Sequence, residues 1–476
     1  MISPSPKIFQ LFVLIFAIFF QLSCSKDTDL LAEYVPLDSK SNSVDITILA
    51  VPNEPIVIEV INSSDNTVIT TVTDPAAGSA SVNEDNTITY VPDADATGTD
   101  TFSYTTETVN PDATVSTSTG NIKVTISSAV ASWKAKFDKQ FKDVDSARMM
   151  ELSNSKNKFQ DYYYMYYYFD GLLSIWQATG DNKYLDVMFT VVNNTIRDAV
   201  PVAFNSSYLG WPADNSYGLD YPKNGSVLFE SYYWKGVATL LRMMSQSPQL
   251  MSSGKYQADF DKILAFTEKH VWDKWNEKGN GYIYRENVHM TSHWARLGME
   301  LFIITGKQKY KTVFDNISFG KMPGQPSNMR GRIRFNPKVP TAYTWDMSWD
   351  RNKVEDTWHA SDVVVFWILA YENGMYWTRA DIDALVVTLD KVVFASKNAP
   401  DYAYNVDGSG GFDTARGRLR DWVKLGRYNR ALQNRLIKEY QSDNKNSRRY
   451  PIQNLANFAL NEKILTDGKP VYPENQ

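Results

Sequence analysis

The apolar period of this chain changes once, near Ala129, and that change restricts the possible folds more than any other feature of the sequence. From Ser43 to Ser128 side chains alternate at period two in Val44–Ile48, Thr87–Val91, Thr101–Tyr104 and Asn121–Ile126, with turn residues between the runs. A strand sends successive side chains to opposite faces, so short alternating runs predict a small all-β sandwich. From Ala129 onward apolar residues recur at helical spacing. The expected helices are Ala131–Met150, Phe159–Ala178, Lys183–Ala199, Val227–Ser245, Tyr256–Trp275, Met290–Thr305, Asp356–Asn373, Arg379–Ser396, Arg416–Tyr440 and Ile452–Ile464. Two helix ends repeat one another. Gly180 and Gly306 each close a helix, and Lys183-Tyr184 or Lys309-Tyr310 opens the next. Repeated helical hairpins over residues 129–476, joined by long aromatic loops, predict a large all-α (α/α) toroid of paired helices. A superhelical array is the alternative, but its loops should be short and regular.

The N-terminal residues set the expected address. An apolar run from Ile8 to Phe20 is too short to span a bilayer comfortably and has the shape of a signal-peptide core. It leads to Leu22-Ser23-Cys24, with the leucine two residues before the cysteine where three is usual. The expectation is a lipoprotein signal peptide over 1–24, acylation at Cys24, a polar tether over 25–42, a sandwich over 43–128 and a toroidal catalytic domain over 129–476. That places the protein in the cell envelope, lipid-anchored, at the outer membrane. Cys24 is the only cysteine, so no disulfide forms within the chain and the fold rests on its own core. A net charge of −5 offers no basic face for nucleic acid. No second apolar stretch is long enough to cross a membrane, so the lipid is the only membrane contact expected.

The stretch from Ile88 to Pro92, with Gly98 to Tyr104 after it, resembles the bacterial immunoglobulin-like and cadherin-like modules of surface proteins. Such modules are usually spacers. Asp93, Asp95 and Asp100 have the chemistry to hold calcium, although an Asp-rich turn needs no metal.

Candidate chemistry lies in the helical part. The chain holds 13 Trp and 28 Tyr. The run Tyr162–Phe169 cannot face one way on a helix, so some of its phenols must line a cavity or the surface. Others fall in loops: Tyr208, Trp211, Tyr217, Tyr221, Tyr343, Trp345 and Trp349. Aromatic faces with polar tips suit a sugar ring and its hydroxyls. Of the four histidines, His270 reads as structural. His289 and His293 are four apart and share a helix face, but Met290 stands where a zinc-binding His-Glu-x-x-His motif has glutamate, so no metal is expected. Asp356 or Thr357 caps a helix and puts His359 in its first turn. Between these helices Arg330, Arg332 and Arg334 alternate, which on an extended segment would line up three guanidinium groups for carboxylates or sulfates.

The anchor, the immunoglobulin-like spacer, the helical repeats, Asn287-Val288-His289 ahead of a helix and the Asp356-Thr357-x-His359 start together resemble toroidal polysaccharide lyases. The likeness is closest to alginate and glucuronan lyases and to enzymes of ulvan breakdown, including an oligosaccharide dehydratase. The Asn-Asn-His-Ser-Tyr-Trp motif of one alginate lyase family is not reproduced. The resemblance implies β-elimination on an anionic, uronate-containing poly- or oligosaccharide, without cofactor. His289, His293, Tyr343 and His359 would be catalytic, with Tyr343 as acid. Arg330, Arg332, Arg334, Asn287, Glu230 and Trp345 would bind substrate. A glycoside hydrolase with a carboxylate pair drawn from Glu230, Asp346, Asp350 and Asp356 is one rival. A non-catalytic glycan-binding lipoprotein is the other.

Overall fold

The structure, a computed structural model, describes residues 45–60, 66–155, 158–211, 225–350, 352–394, 402–411, 420–441 and 450–474. The signal segment, the tether, Cys24, Tyr217 and Tyr221 lie outside the described residues.

Residues 46–126 form the β-sandwich. Its strands are β1 (Ile46–Ala50), β2 (Ile56–Ile58), β3 (Thr67–Val72), β4 (Gly78–Val82), β5 (Ile88–Pro92), β6 (Gly98–Val109) and β7 (Val115–Ile126). One sheet has the order β1-β7-β6-β3 and the other β2-β5-β4. β1 runs parallel to β7, and the other pairs are antiparallel. The alternation is realised in β6, where Asp100, Phe102, Tyr104 and Thr106 are buried and Asp100's neighbours Thr99 and Thr101 are exposed. Ile88, Tyr90, Ile122, Val124 and Ile126 complete the core, each apolar side chain contributing about 1.5–3 kcal/mol by leaving water. Asp100 accepts from the amides of Ala76 (3.1 Å) and Ala77 (3.0 Å) and from the Tyr90 hydroxyl (2.8 Å). Its carboxylate therefore closes the turn by hydrogen bonds.

The remainder is mostly helical. We label α1 (Ser128–Gln140), α2 (Lys158–Thr179), α3 (Lys183–Arg197), α4 (Val227–Ser245), α5 (Gln257–Phe266), α6 (Val288–Thr305), α7 (Gln308–Ser318), α8 (Thr357–Glu372), α9 (Arg379–Val387), α10 (Arg430–Gln441) and α11 (Pro451–Asp467). Side chains set the starts: Ser127 caps α1, Ser226 caps α4 and Asp356 caps α8. Gly306 closes α6 in the left-handed conformation at φ 68°, and Gly180, at φ 70°, follows α2. Three expected long helices are interrupted by π-helical stretches at Phe141–Asp145, Thr267–Asp273 and Thr388–Val393. The expected helix Arg416–Tyr440 is instead a 3-10 helix, Arg420–Tyr428, followed by α10.

The packing closes on itself. α2 packs on α4, α4 on α6, α6 on α8, α8 on the 3-10 segment, that segment on α11, and α11 back on α2. Each also packs on a second helix: α3 on α2, α5 on α4, α7 on α6, α9 on α8, α10 on the 3-10 segment and α1 on α11.

The nine-residue 3-10 helix has a physical reason. Buried Asp421, Lys424 and Arg427 recur every third residue, and on the facing α11 buried Gln453, Asn457 and Asn461 recur every fourth. Three residues of 3-10 helix and four of α-helix both rise about 6 Å, so the two columns stay in register. Gln453 donates to Asp421 (3.1 Å), Lys424 to Asn457 (3.1 Å) and Arg427 to Asn461 (3.2 Å). Lys424 also donates to Asp170 of α2 at 2.8 Å.

Among the described residues no helix is long and apolar enough to cross a membrane.

Candidate functional site

The N-terminal halves of the helices in this circuit meet at one end and supply a polar cluster. The Tyr163 ring stacks on Tyr232 (5.0 Å), and Tyr232 lies edge-on to His293 (5.0 Å). The rings of His289 and His359 stack at 4.3 Å and 21°. Tyr167 stacks on Tyr450, one residue before α11, at 3.7 Å. Neighbouring elements of the circuit therefore run parallel, with the positive ends of their dipoles on the same side as this cluster.

His289 sits in the first turn of α6, whose start is fixed by Val288 N–H donating to Met347 O (2.8 Å). Its Nδ1 lies 2.7 Å from Glu355 Oε1, and the Trp345 indole N–H donates to Glu355 Oε2 (2.8 Å). Burial pushes the His289 pKa down to about 3, aided by the neighbouring His359, and pushes Glu355 well above the usual carboxylate range. His359 follows the Asp356 cap. Asp356 accepts from the His359 backbone (3.0 Å) and places its second oxygen 2.7 Å from His359 Nδ1. Burial opposes charge on His359, but the hydrogen bond and charge of Asp356, with the charge of Glu355, outweigh it and raise its pKa. The two stacked imidazoles are thus pushed in opposite directions. Each is tethered through Nδ1, leaving Nε2 without a partner among the described residues.

A buried layer lies beneath them. His293 Nε2 is 3.5 Å from Asp362, which Lys235 holds at 2.5 Å. Burial, helped by Lys235, pushes His293 down to about 3. Arg420, 2% exposed, donates to Trp358 O (2.6 Å) and to the Tyr232 hydroxyl, and lies 3.8 Å from Asp362. Its backbone is left-handed at φ 39°. That conformation costs a non-glycine residue about 1–2 kcal/mol and is retained where surrounding contacts over-determine it.

Three of the four residues expected to be catalytic, His289, His293 and His359, are brought together. The contacts of Tyr343 lead elsewhere: its hydroxyl donates to Asp381 (3.1 Å), and its ring packs on Phe335 and Trp367. The arginine row is not extended throughout. Asn328 caps a helical turn, Met329–Arg332, and only Ile333–Phe335 is strand (β8), paired with Tyr343–Trp345 (β9). Arg330 makes two bonds to Asp381 (2.7 and 3.0 Å), Arg334 makes two to Asp346 (2.6 and 2.5 Å), and Arg332 also pairs with Asp346. Trp345 is buried and serves Glu355 instead of offering a face to sugar. Glu230 is buried on Lys274 (2.7 Å) and the Trp275 indole (2.8 Å). Asn287 is half-buried and its side chain makes no cap bond to α6. His270 accepts from the Leu209 amide (2.9 Å). Sequence reading missed Glu355, Arg420, Lys235 and Asp362; the one local hint was that Lys235 and Asp362 are charged residues inside otherwise apolar helices.

Among the described residues no group of three or more His, Cys, Asp and Glu is arranged to hold a metal. A separate cleft of about 600 Å³ between β1 and the helices is lined by Thr47, Lys134, Asp138, Gly180 and Tyr472. Its charges pair with one another, Lys134 with Asp138 (2.7 Å) and Asp181 (3.3 Å).

Residues 39–125 match the bacterial Ig domain family, which covers the sandwich and stops short of the helices. No curated protein matches the chain.

Proposed function

We propose that this protein is a carbohydrate-active lyase that performs β-elimination on uronate-containing glycans, and that its helical part is a toroid with the stacked histidines in the funnel. The observation that carries the reading is the His289–His359 pair, whose carboxylate partners and surroundings drive the two pKa values apart. In the tautomer whose Nδ1–H donates to an ionised Glu355, a neutral His289 has a lone pair on Nε2 to take the C5 proton. A protonated His359, with the converging helix N-termini, neutralises the uronate carboxylate and stabilises the developing enolate. The C5–H electrons form the C4–C5 double bond as the C4–O4 bond breaks. A sugar on O4 makes the reaction a lyase step; a free hydroxyl makes it a dehydration. The hydrolase alternative is less well supported. Glu230, Asp346 and Asp356 are bound to Lys274, to arginines and to His359, so no free carboxylate pair is found among them.

The test is incubation with alginate, glucuronan and ulvan oligosaccharides while following the ultraviolet absorbance of the unsaturated uronate. His289→Ala and His359→Ala should each lower turnover by about two to four orders of magnitude. New reducing ends without the chromophore would mean hydrolysis, and binding without product a non-catalytic protein. We further propose that Cys24 carries the lipid that holds the protein at the outer membrane. Labelled palmitate incorporated into Cys24→Ser would refute that.

A further inference from the structure

The elimination proposed above needs a proton for O4, and neither stacked histidine is assigned to supply it. Tyr163, Tyr167 and Tyr232 form a chain whose direction is set by chemistry. A guanidinium has donors and no acceptor, so Arg420 donates to the Tyr232 oxygen. Tyr232 then directs its hydrogen to the Tyr167 oxygen (3.0 Å), and Tyr167 its own to Tyr163 (3.0 Å). Every hydroxyl accepts from the arginine side and donates away from it. The Tyr163 hydrogen is the only one left over, with no acceptor among the described residues. Tyr232 and Tyr167 are buried, whereas Tyr163 is half-buried at the outer end. The chain belongs to the histidine cluster: Tyr232 lies edge-on to His293, and Arg420 is bonded to the carbonyl of Trp358, next to His359.

Resting on the elimination reading, the geometry points to Tyr163 as the proton donor to the departing O4, with Tyr167, Tyr232 and Arg420 as the relay that stabilises its phenolate. In the balanced step His289 takes the C5 proton, the C4–C5 double bond forms, the C4–O4 bond breaks, and O4 takes the Tyr163 proton. The phenolate left on Tyr163 accepts the Tyr167 hydrogen. Tyr167 in turn accepts from Tyr232, and Tyr232 from the Arg420 cation. Aligned hydrogen bonds polarise one another, so the cation is felt across two hydroxyls. The proton on His289 returns to solvent, solvent reprotonates Tyr163, and no oxidant or cofactor enters.

The experiment compares leaving groups in the full chain. On a natural uronate oligosaccharide, Tyr163→Phe should lose about two to four orders of magnitude in kcat with little change in KM. On a uronate carrying 4-nitrophenol at O4, whose departure needs no proton, the same variant should run within a few-fold of wild type. Tyr167→Phe, a positioning change, should show the same leaving-group pattern with a smaller loss and an unchanged melting profile. Equal losses of Tyr163→Phe on both substrates would make the residue a binding or structural group and overturn the assignment. Full activity of Tyr163→Phe on the oligosaccharide would overturn it while leaving the elimination reading standing. A wild-type protein that eliminates from neither substrate would instead remove the elimination reading, and this role with it.

Discussion

Replacing Glu230 with alanine separates two roles for a carboxylate near the start of α4. The Glu230 and Lys274 side chains are 1% and 0% exposed, 2.7 Å apart, and the Trp275 indole donates to the same Glu230 oxygen. Burial raises the Glu230 pKa and lowers that of Lys274, each partner offsetting the shift of the other. The variant leaves an ammonium in the core whose one remaining hydrogen-bond partner among the described residues is the Leu209 carbonyl (3.1 Å), beside the Trp211 and Trp275 rings. Breaking a buried pair on one side costs about 3–5 kcal/mol, and the stranded indole N–H adds about 1 kcal/mol. At about 2 °C per kcal/mol for a domain of this size, the expected loss in melting temperature is about 8–12 °C. Glu230→Met with Lys274→Met removes both charges and should recover most of it. Differential scanning calorimetry reads the temperatures, and turnover measured well below them should stay near wild type. Melting within 2 °C of wild type combined with a large loss of rate would refute the structural role and return Glu230 to the substrate.

Three other outcomes follow from the same physics. Lys424→Met leaves Asp170 and Asp421 without their shared cation and should cost about 3–5 kcal/mol, seen in urea unfolding; a loss under 1 kcal/mol would dismiss the polar column. His293, held neutral with its pKa near 3, takes up a proton on unfolding between pH 6.5 and 3, so it should make stability fall as pH falls through that window. His293→Gln should flatten the fall, whereas His359, whose folded pKa is raised, contributes stability at low pH that is lost as pH rises through that value. A chain starting at Ile126 keeps the Ser127 cap of α1 and should retain activity on soluble oligosaccharides, melting a few degrees lower for want of contacts such as Thr99 to Asp467 (3.1 Å). Inactivity of that chain in a folded state would make the sandwich part of the catalytic unit.

The sequence exposed features that depend on near neighbours. The change of period at Ala129 separated sandwich from helices, Asp356 marked a helix start, and the Gly180 and Gly306 repeat marked helix ends. His289 and His293 were legible as one face because four residues make about one turn. Their partners were not, because Glu355 meets His289 across 66 residues and Arg420 meets Tyr232 across 188. Periodicity carries no information over such separations. Alternation in Arg330, Arg332 and Arg334 misled for a related reason: it fits a strand, but Asn328 ahead of Met329 is a cap signal that turns the first two into a helical turn.

Composition misled where it treated a polar or aromatic residue as a surface residue. Trp345 has the look of a sugar platform, yet its N–H is the only polar atom in reach of Glu355 Oε2 among the described contacts, and its ring fills the core against Trp367 and Trp422. The stretch from Arg420 shows the opposite error. Read at period 3.6 it is a plain amphipathic helix, and only the partner column on α11 reveals why it winds tighter. Gln453, Asn457 and Asn461 repeat every fourth residue, about 6 Å apart. An α-helix opposite them would carry Asp421, Lys424 and Arg427 at about 4.5 Å spacing and at changing angles, so the third pair would miss. At three residues per turn these side chains eclipse and all three bonds form. The same winding holds Arg420, at the head of the segment, under Trp358 and Tyr232. The tightness that looks like a local irregularity therefore fixes the guanidinium that donates to the Tyr232 hydroxyl, the contact from which the proposed relay starts.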